Sequence, residues 1–146
     1  MTTIAYRDGV MAGDSLSTFG GTAGGRVFKV RKVGKFLLGL SGTAGEAEEY
    51  CKLMAKNQEI MRFDDLARRA TDDLGVWGLI ADGNKVYRID RSGLPYRVRG
   101  PFFACGAGMD VALGAMEMGA GAKRAVQAAC KYSSGSGGPV YTVSHK

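Results

Sequence analysis

Met1-Thr2-Thr3-Ile4-Ala5-Tyr6-Arg7-Asp8-Gly9-Val10-Met11-Ala12-Gly13-Asp14 opens the chain, and its reading decides the fold. Ile4, Ala5 and Tyr6 precede Asp8-Gly9; Val10, Met11 and Ala12 follow it. Asp-Gly between two apolar runs is a strong hairpin signal, because glycine accepts positive φ at little cost. Folded about Asp8, the strands bring Thr2 opposite Asp14. Thr2 becomes the first residue once the initiator methionine is trimmed, as aminopeptidases commonly do before a small side chain. Its own α-amine, with an ordinary pKa of about 7.7–8.0, then serves as base for its hydroxyl. Such chemistry needs no histidine, which suits a chain whose one histidine, His145, is penultimate. Taken alone, the hairpin reads as an edge strand beginning with two β-branched residues. The rest of the chain shifts that balance.

With 146 residues, 45% of them hydrophobic and 23% charged, residues 1–146 fit a single domain with one core. No apolar run approaches the roughly 20 residues of a membrane span, and the first residues lack the charged-then-apolar layout of a secretory signal. A cytoplasmic location is expected. Cys51, Cys105 and Cys130 are too widely spaced for a disulfide framework or a zinc site and read as small buried hydrophobes. No metal and no cofactor is expected. The net charge of +6 raises nucleic-acid binding as a class. Arg26, Lys29, Arg31, Lys32 and Lys35 form the densest basic group, but Arg26 to Arg31 reads as a strand that divides its side chains between two faces, so a solvated face is the better reading. The 23 glycines punctuate turns and form no repeat.

Beyond Asp14, residues 15–25 read as a polar, glycine-broken loop lining a cleft. Arg26 to Arg31 reads as a strand, Val33-Gly34-Lys35 as a turn, and Phe36-Leu37-Leu38-Gly39-Leu40 as a strand buried on both faces. Ser41-Gly42-Thr43-Ala44-Gly45 closes that strand and opens a helix running to about Asn57, with Thr43 and Glu46 at capping-box spacing. Phe63, Leu66, Ala67, Ala70 and Leu74 predict a second, shorter helix. Two strands flank Asp82-Gly83-Asn84; an extended piece follows Arg91-Ser92-Gly93 around Tyr96 to Arg99; and Phe102 to Cys105 is a further strand. Asp110–Met118 and Lys123–Tyr132 predict two short helices, and Pro139 to Val143 a last strand. Strands, helix pair, strands, helix pair and strand, with hairpin connections, imply an α+β fold. Its expected form is a four-layer αββα sandwich, two mostly antiparallel sheets with outer helix pairs.

Several motifs occur in a telling order: Thr2-Thr3-Ile4, Gly9-Val10 then Ala12-Gly13-Asp14, Val27-Phe28-Lys29-Val30, Leu38-Gly39-Leu40-Ser41-Gly42-Thr43-Ala44, and Cys105-Gly106-Ala107-Gly108. In this the chain resembles the proteasome β-subunit family, and most of all its bacterial HslV-like branch. The resemblance covers nearly the whole chain, and its first 45 residues carry most of the specificity. It implies an N-terminal-nucleophile hydrolase fold and a threonine peptidase built into rings. Thr2 matches the nucleophile, Lys29 the buried lysine that eases alkoxide formation, and Asp14 the carboxylate that holds that lysine. Gly42 matches the backbone N–H of the oxyanion hole. Thr18, Leu40 and Ala44 match the substrate-binding positions, where the peptide adds as an extended strand. Ser136, in Ser136-Gly137-Gly138, matches a supporting hydroxyl. The chain departs from the family where Ala107 stands in place of a serine and Ser133 in place of an acidic residue.

Two functions of different class follow. One is a threonine endopeptidase subunit of a self-compartmentalising ring protease, its homo-oligomeric rings stacked. It cuts unfolded polypeptides delivered by a separate AAA+ ATPase unfoldase, because this chain has no nucleotide-binding motif. The other is a ring-forming scaffold of the same fold that has lost the chemistry, for which Ala107 and Ser133 speak. Nucleic-acid binding ranks below both, and no membrane partner is expected. Small residues on the last two helices, among them Ala112, Ala115, Ala122, Ala125 and Ala129, suggest close packing, between subunits and in part within the subunit itself.

Overall fold

A computed structural model describes residues 2–19, 22–42, 44–60, 75–89 and 95–145. Met1, Thr43, the helix expected over residues 63–73 and the turn Arg91-Ser92-Gly93 lie outside the described residues.

The first hairpin pairs β1 (Thr3–Arg7) with β2 (Val10–Gly13). Asp8 and Gly9 both take positive φ, 51° and 79°, the type I′ combination whose twist matches that of the strands. Both residues therefore belong to the turn. Arg7 faces Val10 and Ile4 faces Gly13. One step further, the Asp14 amide donates to the Thr3 carbonyl at 3.1 Å. The register expected from a fold about Asp8 alone is thus one residue out: Thr3, not Thr2, lies opposite Asp14.

Residues 15–25 also differ from the loop expected. They contain β3 (Leu16–Phe19) and β4 (Thr22–Arg26), an antiparallel ribbon with a register shift between Ser17 and Thr18. Every β4 residue is exposed, so no inside-outside alternation marks the strand in the sequence. The strand expected over 26–31 is displaced to β5 (Val30–Val33). Residues 27–29 are an irregular connection, tied by the Val27 amide to the Ser15 carbonyl and by the Leu40 amide to the Lys29 carbonyl, both at 2.9 Å.

Next come β6 (Phe36–Gly42), α1 (Ala44–Asn57), β7 (Val76–Asp82), β8 (Lys85–Ile89), β9 (Pro95–Val98), β10 (Phe102–Gly106), α2 (Met109–Glu117), α3 (Ala122–Tyr132) and β11 (Tyr141–Ser144). The chain is α+β. One antiparallel sheet has the order β10-β1-β2-β11 and the other β5-β6-β7-β8-β9, while β3-β4 stands apart. Alternation along the strands sets the packing. Phe36, Leu38 and Leu40 of β6 meet Tyr50 and Met54 of α1 on one face of the five-stranded sheet. Leu37 and Leu79, on its other face, meet Ile4, Met11 and Cys105 of the four-stranded sheet. Gly39 permits that approach, since a Cβ there would come within 2.5 Å of Ile4 Cγ2 and 2.8 Å of Met11 Sδ.

The outer face of the four-stranded sheet carries a row of alanines, Ala5 paired with both Ala12 and Ala104. Ala112, Met116, Ala122, Ala125 and Val126 of α2 and α3 pack against that row. Small residues on both sides let the helices sit close to the sheet. Packing within the subunit therefore accounts for Ala112, Ala122 and Ala125 of the small-residue helix face. No helix among the described residues is long and apolar enough to cross a membrane.

Candidate active site

Asp14, just past β2, is the centre of the site. It is fully buried, and a buried carboxylate needs donors on all sides. The Lys29 ammonium donates to both its oxygens, at 3.1 and 3.0 Å. The Thr3 amide donates to Oδ1 at 2.9 Å, and the amides of Gly137 and Leu16 to Oδ2 at 3.2 and 3.4 Å. Lys29 is itself buried. Gly13 lets it come near, because a Cβ there would stand 2.9 Å from Val30 Cγ1 and 3.6 Å from the Lys29 Cβ.

Thr2 precedes β1 and is 3% exposed. Its carbonyl accepts from the Ala107 amide at 2.6 Å. Gly106, at φ 100°, has no Cβ, and the Thr2 carbonyl occupies the space a Cβ would fill. The Thr2 hydroxyl oxygen accepts from Ser41 Oγ at 2.5 Å. Thr2, Lys29, Leu40, Ser41 and Gly42 line one cavity of about 90 Å³. Val27, Phe28 and Ala47 supply its apolar wall and Arg31 and Glu48 a polar one. The last two form a forked ion pair, with Arg31 Nη1 to Glu48 Oε2 at 2.8 Å.

Gly42 ends β6 at φ 105°, and a side chain there would run into the Gly75 carbonyl. Only glycine is comfortable in that conformation.

Of the residues singled out from sequence, Thr2, Asp14, Lys29, Leu40 and Gly42 come together. Ser136 joins them one step removed: its hydroxyl lies 2.5 Å from that of Thr3, not Thr2. The Gly108 amide donates to the same Thr3 oxygen at 3.0 Å. Ala44 opens α1 two residues beyond Gly42. Thr18 lies on the β3-β4 ribbon, paired with Ala23, and is not part of the cavity wall. Ala107 is exposed and presents a methyl; its carbonyl accepts from Ser133 Oγ at 3.4 Å.

Thr3 and Ser41 were missed. Thr3 stood in plain view in Thr2-Thr3, and Ser41 in the Ser-Gly that ends the apolar strand. Neither spacing says which hydroxyl partner each finds.

The cysteines offer no competing nucleophile. Burial pushes all three thiols up, Cys105 most, from an ordinary value of 9.0 to about 12. Burial is the larger effect at Cys105, and the Arg88 charge opposes it. A thiol whose folded pKa lies above its unfolded value adds stability below the unfolded value, lost as pH rises through the folded one. We therefore expect stability to fall between pH 9 and about 12, and Cys105→Ala to lessen that fall, as read from urea midpoints across the alkaline range. Among the described residues no group of three or more His, Cys, Asp or Glu could hold a metal ion.

No family model and no curated protein matches this chain. Solved structures do. Thiobacillus denitrificans BPH in complex with epoxomicin superimposes with a TM-score of 0.74 at 22% identity, over 99% of this chain and 98% of that one. Another structure of Thiobacillus denitrificans BPH gives 0.71, again at 22% identity over 99% and 98%. At this identity the likeness is one of fold.

Proposed function

We propose that this chain is the threonine-type endopeptidase subunit of a self-compartmentalising protease, with Thr2 as nucleophile after loss of Met1. The fold in this reading is the four-layer N-terminal-nucleophile sandwich. One observation carries it: Thr2 lines the same small cavity as a lysine whose ammonium is locked by a fully buried carboxylate. A fixed cation beside a buried hydroxyl, in a site with little water, is an arrangement for stabilising an oxyanion. The solved neighbour bound to epoxomicin, a proteasome inhibitor, supports the same reading.

The chemistry runs as follows. The freed α-amine takes the proton of Thr2 Oγ1, while the Lys29 charge lowers the energy of the alkoxide. Oγ1 attacks the peptide carbonyl, and the resulting oxyanion is met by the backbone at Gly42. The ammonium returns its proton to the leaving amine, and water then cleaves the Thr2 ester. Asp14 takes no part in proton transfer; it fixes the lysine and the backbone of Thr3.

Stacked homo-oligomeric rings fed by a separate AAA+ ATPase complete the proposal. Sequestration then supplies the selectivity that so small a cavity does not. The second reading, an inactive ring-forming scaffold, is favoured by Ala107, which brings a methyl where the family resemblance leads one to expect a hydroxyl.

Intact-mass measurement decides the first requirement. We expect the purified protein to lack Met1 and to gain the mass of one epoxomicin per chain. A homogeneous population that keeps Met1 has no base and overturns the peptidase reading for that preparation. Sedimentation at micromolar concentration should give a closed multimer, and a monomer would remove the ring.

A further inference from the structure

The hydroxyl of Ser41 lies on the Thr2 hydroxyl oxygen, and it has no part in the scheme above. Ser41 is the penultimate residue of β6. Pairing with β7 holds it, Ser41 opposite Trp77 and Gly42 opposite Val76. The side chain is half-buried and lines the cavity that holds Thr2 and Lys29. Its Oγ donates to Thr2 Oγ1 at 2.5 Å, at the short end of the range for hydroxyl pairs. On the other flank of Thr2, Ala107 contributes only its amide, to the Thr2 carbonyl.

The direction of that bond matters. A hydroxyl that accepts from Ser41 must point its own hydrogen elsewhere, and once Met1 is gone the α-amine of the same residue is within reach. A hydrogen bond from O–H to oxygen also shortens and strengthens as the acceptor gains negative charge. The contact is thus worth more to the alkoxide than to the resting hydroxyl, which is the condition for it to accelerate a reaction.

We propose that Ser41 is a catalytic residue: it orients the Thr2 proton toward the α-amine and stabilises Oγ1 as the proton leaves. The inference rests on the peptidase reading. In the step, the O–H bond of Thr2 breaks and its proton goes to the amine lone pair. The freed electron pair on Oγ1 forms the new bond to the substrate carbonyl carbon, whose π pair moves to oxygen. Ser41 keeps its own proton throughout. It differs from Lys29 in acting through a directed hydrogen bond and not through net charge.

The test compares Ser41→Ala, Ser41→Val and Ser41→Thr with the wild type and Thr2→Ala, all processed to remove Met1. Hydrolysis of a fluorogenic peptide gives kcat and KM, and thermal denaturation checks the fold of each. Val and Thr are nearly isosteric, so the pair isolates the hydroxyl. We expect Ala and Val each to lower kcat by about 10²-fold, with KM within about twofold, and Thr to recover most of the loss. The rate of epoxomicin labelling should fall in the same order. Equal rates for the Val and Thr variants, or a kcat for Ser41→Ala within about twofold of wild type, overturn the role of Ser41 and leave Thr2 as nucleophile. A wild type as inert as Thr2→Ala toward both peptide and epoxomicin instead overturns the peptidase reading, and this inference with it.

Discussion

Replacing Thr2 with alanine should abolish hydrolysis of unfolded polypeptide and of fluorogenic peptides, while the fold survives. In the proposed mechanism the hydroxyl that alanine removes is the atom that attacks, and no buried cysteine with a raised pKa takes its place. Thr2→Ser should retain part of the rate, because hydroxyl and α-amine both remain. Lys29→Ala should lower kcat by about 10²–10³-fold, the loss typical of removing one preorganised partner of a developing oxyanion. Substrate binding should change far less. Lys29→Arg should not restore activity: a planar fork cannot replace a compact ammonium that places one donor on each Asp14 oxygen. The measurement is steady-state kinetics on protein shown by mass to lack Met1. Unchanged rates in both Thr2→Ala and Lys29→Ala reject the assigned site.

Asp14→Ala should cost about 3–5 kcal/mol of folding stability, the range for breaking a buried ion pair from one side. The Lys29 ammonium would be left buried without its carboxylate, and the amides of Thr3, Leu16 and Gly137 would lose an acceptor together. Urea denaturation provides the number. The double variant Asp14→Leu with Lys29→Met sharpens the argument, since an apolar pair in place of a buried ion pair is often neutral or better. Here we expect recovery of only part of the loss, because the Thr3 and Gly137 amides stay unsatisfied while that of Leu16 keeps the Gly137 carbonyl at 3.1 Å, and no recovery of activity. A double variant as stable as wild type would show that those amides find other partners. A single Asp14→Ala variant within about 1 kcal/mol of wild type would contradict the buried geometry itself.

The parts of this site legible in the sequence are those with a local cause. Asp8-Gly9 announces a hairpin because so few residue pairs tolerate two positive φ values. The span of α1 follows from an apolar strand ending at a glycine and from helical spacing after it. The register of the hairpin was less legible, since Asp-Gly does not itself say whether the turn is centred on Asp8 or between Asp8 and Gly9, and one residue decides which threonine meets Asp14. β4 left no trace in the sequence because every one of its residues is exposed, and burial is what writes periodicity into a chain. Ser41 and Ser136 depend on contacts between segments far apart in sequence: residues 41 and 2 in one case, 136 and 3 in the other. A hydroxyl's orientation across such distances has no signature in spacing. The small residues of α2 and α3 show the converse, a clear pattern whose partner proved to be the alanine row of β1, β2 and β10.

The network around Asp14 joins segments far apart in the sequence, 123 residues in one hydrogen bond and 133 in another. Thr2 and Thr3 come from its start, while Ser136 hydrogen-bonds Thr3 and the Gly137 amide closes the ring of donors to the carboxylate. During synthesis the hairpin of β1 and β2 leaves the ribosome well before residues 136 and 137, and its buried carboxylate is fully coordinated only once they follow. A nascent chain therefore carries an incomplete candidate site until residues 136 and 137 have emerged.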